Sequence, residues 1–256
     1  MIDVYKIGGK VIDDPAALEK FCRDFAALQG PRILVHGGGV AASRMQQKLG
    51  IEPVMVEGRR ITDEPTLKIV TMVYAGWCNR HICALLQANG CNAIGMAGCD
   101  ASVIRADRRS PSAEGPCKGI DFGFVGDVTA GSVNVPMLEK LLALGLVPVL
   151  CPINHDGRGV LLNTNADTVA QSVASALKAN LHCCFEHKGV LQEDGVLLKS
   201  IDSAGYEELK RKGTVWGGMI PKIENCLTAL RAGAPGARIL SYEEIGDPGA
   251  GTVIGL

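Results

Sequence analysis

No two cysteines in this 256-residue chain stand in CxxC spacing, although ten are spread from Cys22 to Cys226 and only Cys183 and Cys184 are close neighbours. With only five scattered histidines, a zinc site is not expected. The cysteines are then expected to be reduced thiols serving as small buried hydrophobes. There is no arginine or lysine tract either, and a formal net charge of -1 argues against capture of nucleic acid or an anionic membrane. Small ligands are the better expectation. The longest uncharged apolar run, Leu141 to Ile153, is broken by Gly145, Pro148 and Pro152 and is shorter than the roughly 20 residues of a spanning helix. Asp3, Lys6 and the glycines that follow do not make the basic-then-apolar order of a secretory signal. The expectation is a soluble, cytoplasmic protein. Repeats and low-complexity tracts are missing as well.

What is present is enough apolar side chain, 47% of the residues, for a sizeable core in one α/β domain or two small ones. Strand-like and helix-like stretches alternate nearly end to end, the pattern of a mainly parallel sheet covered on both faces. The spacing predicts strands at 2–7, 32–36, 92–96, 147–151, 181–185 and 237–241. It predicts helices at about 15–29, 40–49, 65–88, 134–145, 167–179, 204–212 and 221–232. Asp107 to Val133, rich in glycine, serine and charge, reads as a hairpin or flap attached to the sheet. In the 65–88 helix, Leu67, Val70, Val73, Tyr74 and Trp77 mark one apolar face, while Ile69, Met72 and Ile82 make others apolar. Such a helix is buried on several sides, as a core helix or with an outer face, anchored by Tyr74 and Trp77, against a second copy of the chain.

Two glycine clusters end strands: "YKIGGK" at 5–10 and "VHGGGV" at 35–40. Glycine after a parallel strand lets backbone N–H groups approach a ligand, and a following helix adds its positive end, so the arrangement suits an anion such as phosphate. The competing reading is Gly37-x-Gly39-x-x-Ala42 as a dinucleotide fingerprint with Glu57 as the ribose acid. Glu57, however, sits in a charged "VEGRR" that reads as a loop, and Lys6 with Gly8 and Gly9 would have no task. A cation at Lys6, beside two N–H-rich loops, is what a transferring phosphoryl group needs. Neither a "GxxxxGK[ST]" P-loop nor a kinase glycine loop is present. In "LLNTNADTVA" at 161–170, Asn163, Asn165 and Asp167 are more Asx residues than one helix cap requires. In "VWGGMIPKIENCL" at 215–227, Gly217 and Gly218 precede Pro221 at a likely first helical position, and Lys222 lies in the first turn, where the helix dipole prefers an anion. Lysine fits there if it and the helix end share an anionic ligand.

Taken together, "KIGGK" at 6–10, "VHGGG" at 35–39, "EGRRIT" at 57–62, "GFVGDV" at 123–128, "LNTNAD" at 162–167, "GGMIPK" at 217–222 and "GTVI" at 251–254 resemble, in order and spacing, the amino acid kinase family. "GGMIPK" and "GRRIT" place the resemblance in its acylglutamate-phosphorylating branch. It covers nearly the whole chain and implies a three-layer αβα sandwich around a mainly parallel sheet, 1–256 as one domain. A lobe of about 1–175 would bind the acylglutamate and make dimer contacts, and one of about 176–256 would bind ATP. The implied reaction is ATP-dependent phosphorylation of the γ-carboxylate of an N-acylated L-glutamate, N-acetyl by default, for arginine or ornithine synthesis.

Carried over residue by residue, the resemblance makes Lys6 and Lys222 the cations on the transferring phosphoryl group and Asp167 the residue orienting both. Gly37, Gly38, Arg60 and Asn163 fall on the amino-acid substrate, and Gly8, Gly9, Gly217, Gly218, Met219 and Glu186 on the nucleotide. Magnesium would be carried by ATP and not by the protein. No general base is needed, because a glutamate side chain with a pKa of about 4.3 is already an anion. His36 is then structural. Either Arg59 or Arg60 suits a carboxylate by its planar fork; the resemblance alone chooses Arg60.

The departures are "FEHKGV" where the family has "TDVxGV", which puts Glu186 at the acid's position, and Cys99 where a more polar residue is common. The chain starts at its first strand, from which a homodimer insensitive to arginine is expected. Two alternatives stay open: the same reaction on N-succinyl-L-glutamate, or an effector-sensing module without catalysis. A succinyl group would add a charge for which Arg59, Arg80 and Lys68 are the candidate partners.

Overall fold

The computed structural model describes residues 1–112, 114, 117–192, 194–215 and 217–256. Parts of two stretches read in the sequence, the flap at 113, 115 and 116 and the third glycine cluster at 216, lie outside them. A central sheet runs through the molecule, with strands β1 (Asp3–Ile7), β2 (Arg32–His36), β3 (Ala93–Met96), β4 (Val147–Leu150), β5 (Asn180–Phe185), β6 (Ser200–Ile201), β7 (Ala237–Ser241) and β8 (Thr252–Ile254). Its order is β6-β8-β7-β5-β1-β2-β4-β3, parallel throughout except where β7 meets β8.

The helices are α1 (Gly9–Asp13), α2 (Pro15–Ala27), α3 (Gly39–Lys48), α4 (Glu64–Thr71), α5 (Asn79–Ala88), α6 (Val135–Ala143), α7 (Ala166–Leu177), α8 (Ser203–Lys212) and α9 (Met219–Arg231). The period of two along β1 decides the layering. Val4 joins the core containing Val169 and Val173 of α7 and Ile223 and Leu227 of α9. Tyr5 and Ile7 join the opposite core, with Phe21 and Phe25 of α2 and Ile82 and Leu86 of α5. Lys6 lies on the same side of the strand as Val4, which turns it toward α7. The expected three-layer α/β sandwich is therefore observed.

Short strand pairs decorate this frame: Ile153–His155 with Leu161–Asn163, Met55–Val56 with Arg59–Arg60, and Asp107–Arg108 with Gly126–Asp127. The flap at 107–133 does contain a hairpin, but it is not attached to the central sheet. Among the described residues it pairs with no strand of that sheet; its bridges to the rest of the chain run from Gly123 to Thr62, from Val125 to Asn163 and from Val133 to Ile104.

The predicted helix at 65–88 is α4 and α5 joined by a π-helical stretch, Met72–Cys78. Wider turns shift the residues that follow around the axis. Tyr74 is consequently buried, at 5% exposure, whereas Trp77 is 69% exposed and Met72 59%. The expectation of Tyr74 and Trp77 on one outer face is corrected: only Trp77, stacked on His81 at 5.2 Å, looks outward. Among the described residues no helix is long and apolar enough to cross a membrane. All ten cysteines are free, seven of them buried and Cys99 exposed.

Candidate active site

Helix caps separate the site from the rest of the molecule. Side chains of Asp14, Asp63, Asn134, Asn165 and Asp202 accept from the first-turn N–H groups of α2, α4, α6, α7 and α8. The helices α1, α3 and α9 begin instead at Gly8, Gly38 and Gly218, with no side-chain cap. First-turn N–H groups have no partner inside their own helix, so these three starts are left for solvent or a ligand. Gly8, Gly9, Gly37, Gly38 and Gly39 line one cavity of about 240 Å³ together with Lys6, Arg59, Arg60, Asn163 and Asp167. Gly218, Met219, Lys222, Lys10, Phe185 and Glu186 line a second, of about 450 Å³. The segment from Gly8 into the start of α1 contributes to both, with Gly8 and Gly9 on the first and Lys10 on the second.

Glycine is required at one of these positions on two grounds. Gly38 has φ +151°, and a Cβ there would stand 2.8 Å from Cδ1 of Tyr74. Burial of Tyr74 in the π-helical stretch thus presses on the middle of the HGGG turn, a contact that strand and helix periodicity does not show.

Lys6, only 6% exposed, places Nζ 2.8 Å from Oδ1 of Asp167 in the first turn of α7. Burial alone would raise the pKa of Asp167, but the charges of Lys6 and then Lys222 outweigh it and hold the carboxyl below its usual range. Asp167 bonds Lys6 directly. Lys222 acts on it through its charge, with its own Nζ donating to the Gly218 carbonyl at 3.1 Å and standing 5.7 Å from the centre of the Phe185 ring. The helix α9 starts at Met219, so Pro221 is its third residue and not its first. A missing N–H does no harm there, since that position has no intrahelical acceptor.

Of the three Asx residues at 163–167, Asn165 is the cap, accepting from Asp167 N at 2.8 Å and Thr168 N at 3.1 Å. Asn163 is buried and donates to Thr62 Oγ1 at 3.1 Å. Arg60 is 6% exposed, and its guanidinium donates to Gln46 Oε1, to the Gly39 carbonyl at 2.9 Å and to Ser43 Oγ at 2.8 Å. Ser43 and Gln46, one helical turn apart on α3, were not read from the sequence, because their partner lies in another element. Glu186 meets Lys10 at 2.5 Å across the mouth of the second cavity. Gly217, with φ +54°, lines neither cavity.

His36 is fully buried. Its Nδ1 donates to the Gly37 carbonyl at 2.7 Å, and its Nε2 accepts from Asn79 Nδ2 at 3.0 Å. Burial pushes its pKa down to about 4, against a smaller opposing effect of the Gly37 hydrogen bond. It is a neutral, structural imidazole, as expected. Glu57 sits at φ 47° in the exposed turn between two short strands, away from the end of any central strand. The dinucleotide reading loses its ribose acid there.

The arrangement therefore gathers cations and free N–H groups around two adjoining cavities, a setting for negative charge on both ligands of a group transfer. The profile of the amino acid kinase family matches residues 1–241. The chain is 48% identical over 250 residues to the acetylglutamate kinase of Cytophaga hutchinsonii, covering 94% of this chain and 92% of that protein. To that of Methanopyrus kandleri it is 38% identical, with 99% and 100% covered. Among solved structures it is similar to smu.665 from Streptococcus mutans, with a TM-score of 0.80, 27% identity and 99% and 98% covered. The fold also matches N-acetylglutamate synthase from Neisseria gonorrhoeae, with a TM-score of 0.84 and 22% identity, over 100% of this chain and 59% of that longer one. With a family profile matched from its first residue to 241 and relatives aligned over nearly their whole lengths, this chain belongs to the amino acid kinase family.

Proposed function

We propose that the protein transfers the γ-phosphoryl group of ATP to the γ-carboxylate of N-acetyl-L-glutamate, releasing ADP and an acyl phosphate, as a step of arginine biosynthesis. The Lys6–Asp167 pair between two side-chain-free glycine turns carries this reading, and the acetylglutamate kinases similar over nearly the whole chain support it.

One oxygen of the γ-carboxylate forms the new bond to the γ-phosphorus while the bond from that phosphorus to the β,γ-bridging oxygen breaks, its electron pair leaving with ADP. No proton moves, because the acceptor enters as an anion. The barrier is charge repulsion between carboxylate and phosphoryl group, and stabilising that charge is the task of the surroundings. Lys6, fixed by Asp167, and Lys222, at the uncapped start of α9, supply positive charge from two elements. Backbone N–H groups of Gly8 and Gly9 face the nucleotide phosphates, and those of Gly37 and Gly38 face the attacking carboxylate. Arg60 and Asn163 hold the α-carboxylate. In this reading residues up to about 175 bind the acylglutamate, and those from about 176, with Gly217, Gly218, Met219 and Glu186, bind ATP. Among the described residues no group of three or more His, Cys, Asp or Glu side chains is placed to hold a metal ion. In this reading magnesium arrives with the nucleotide, and the chain's own residues hold the phosphates.

The exposed Met72 and Trp77 on the outer side of the π-helical stretch fit a homodimer contact. Incubating the protein with ATP, magnesium, hydroxylamine and N-acetyl-L-glutamate, with glutamate as control, tests the reaction. The hydroxamate of the acylated substrate is expected together with ADP, and no hydroxamate would refute it.

A further inference from the structure

Two arginines, consecutive in sequence, line the first cavity, and their surroundings differ. Three acceptors of the protein already take the Nη1 and Nη2 groups of Arg60, leaving only its buried Nε without a partner among the described residues. Arg59 is half-buried, and among the described residues its side chain makes no hydrogen bond or ion pair. The charges acting on it include Arg109 and Asp127, and the Asp127 Oδ1 already accepts from both Nε, at 3.2 Å, and Nη2 of Arg109. Burial first, and then Arg109, depress the pKa of Arg59. A guanidinium in that position gains from any anion that reaches it.

Charge counting within the cavity points the same way. Its charged lining is Lys6, Arg59, Arg60 and Asp167. Lys6 and Asp167 neutralise each other, which leaves two arginines facing the acceptor. Other cations of the region are not available: Lys68 is held by Glu64 at 2.7 Å, and neither it nor Arg80 lines the cavity.

We propose that Arg59 is a substrate-binding residue that pairs with a carboxylate of the acylglutamate that Arg60 leaves unneutralised. The inference rests on the acceptor assignment made above. The shared chemistry is a carboxylate in reach of the planar fork, and two sources supply it. One is the α-carboxylate, divided between both arginines. The other is a carboxylate ending the N-acyl group, for which succinyl is the simplest case. With the first source Arg59 strengthens binding of every N-acylglutamate. With the second it selects among them.

The test is calorimetric binding and steady-state kinetics of wild type, Arg59→Met and Arg59→Lys, each with N-acetyl-L-glutamate and N-succinyl-L-glutamate. Arg59→Met is expected to weaken acceptor binding tenfold or more while the KM for ATP stays within twofold, and Arg59→Lys to recover part of the loss. Weakening with both acceptors assigns the α-carboxylate; weakening with N-succinyl-L-glutamate alone assigns the acyl carboxylate. If Arg59→Met binds both acceptors as wild type does, with an unchanged melting temperature, the inference is overturned. A wild type that binds an acceptor but yields no hydroxamate refutes the kinase reading and leaves the calorimetric comparison to decide on Arg59. A wild type that binds neither overturns both.

Discussion

At the scale of single residues, the cations divide by when they act. Lys222 makes no ion pair among the described residues and hydrogen-bonds only the Gly218 carbonyl that precedes its helix, so it is free to follow charge that develops during transfer. Lys222→Ala should lower kcat on the order of a hundredfold, the effect of losing one charge-stabilising donor, with KM values little changed. An unchanged kcat would remove Lys222 from the catalytic set. Arg60→Ala should instead raise the KM for the amino-acid substrate. A rise confined to the KM for ATP would mean that the two sides of the site are reversed.

His36 gives a pH signature. Its folded pKa of about 4 lies below the ordinary imidazole value of about 6.5, so between these pH values the unfolded chain binds more protons. Stability contributed by this histidine is therefore complete above about pH 6.5 and is lost as pH falls toward 4, by up to about 1.4 kcal/mol per pH unit. Urea unfolding at pH 7.0 and 5.0 should show a smaller difference for His36→Asn than for wild type. Equal slopes would mean that His36 is not held neutral.

At the scale of elements, the glycine starts and the Asx caps make opposite predictions. Gly38→Ala forces a side chain into a positive-φ position against Tyr74 and should destabilise by about 1–3 kcal/mol, together with loss of activity. Asn165→Ala removes the cap of α7, for about 1 kcal/mol in denaturant unfolding. It should also lower activity by loosening Asp167. A fully active, fully stable Gly38→Ala would contradict the assignment of that turn.

Longer elements were legible in the sequence: strands β1 to β5 and β7, whose apolar runs are buried on both faces of the sheet, and the amphipathic helices, which bury one face, fall within a few residues of expectation. The two- and three-residue strands β6 and β8 and the small hairpins were not, since so short a run carries no period. The π-helical stretch was hidden too, because its apolar residues read equally well as one straight helix. In the site, residues marked by local chemistry were found: glycines after strands, and a lysine in a helix's first turn. Partners fixed only by tertiary approach were missed, among them Tyr74 on Gly38, Lys10 on Glu186, and Ser43 with Gln46 on Arg60.

At the scale of the whole molecule, the parallel sheet brings the C-terminal ends of β1, β2 and β5 to one edge, with the starts of α1, α3, α7 and α9 around it. Ligands of open α/β sheets bind at that edge. The homodimer contact proposed at Trp77 lies on the outer surface and has its own test. Trp77→Asp is expected to convert a dimer to a monomer in light scattering, with the far-UV spectrum preserved. A wild-type monomer at micromolar concentration would exclude that contact.

The central claim is direct transfer between two bound anions, with no phosphorylated enzyme. Single-turnover rapid quench with ATP labelled in its γ-phosphate tests it most directly. The account predicts that label passes from ATP to a hydroxylamine-sensitive acyl phosphate of N-acetyl-L-glutamate, with none retained on the protein at any time. Label appearing first on the protein, or passing only to inorganic phosphate with acceptor present, would contradict it.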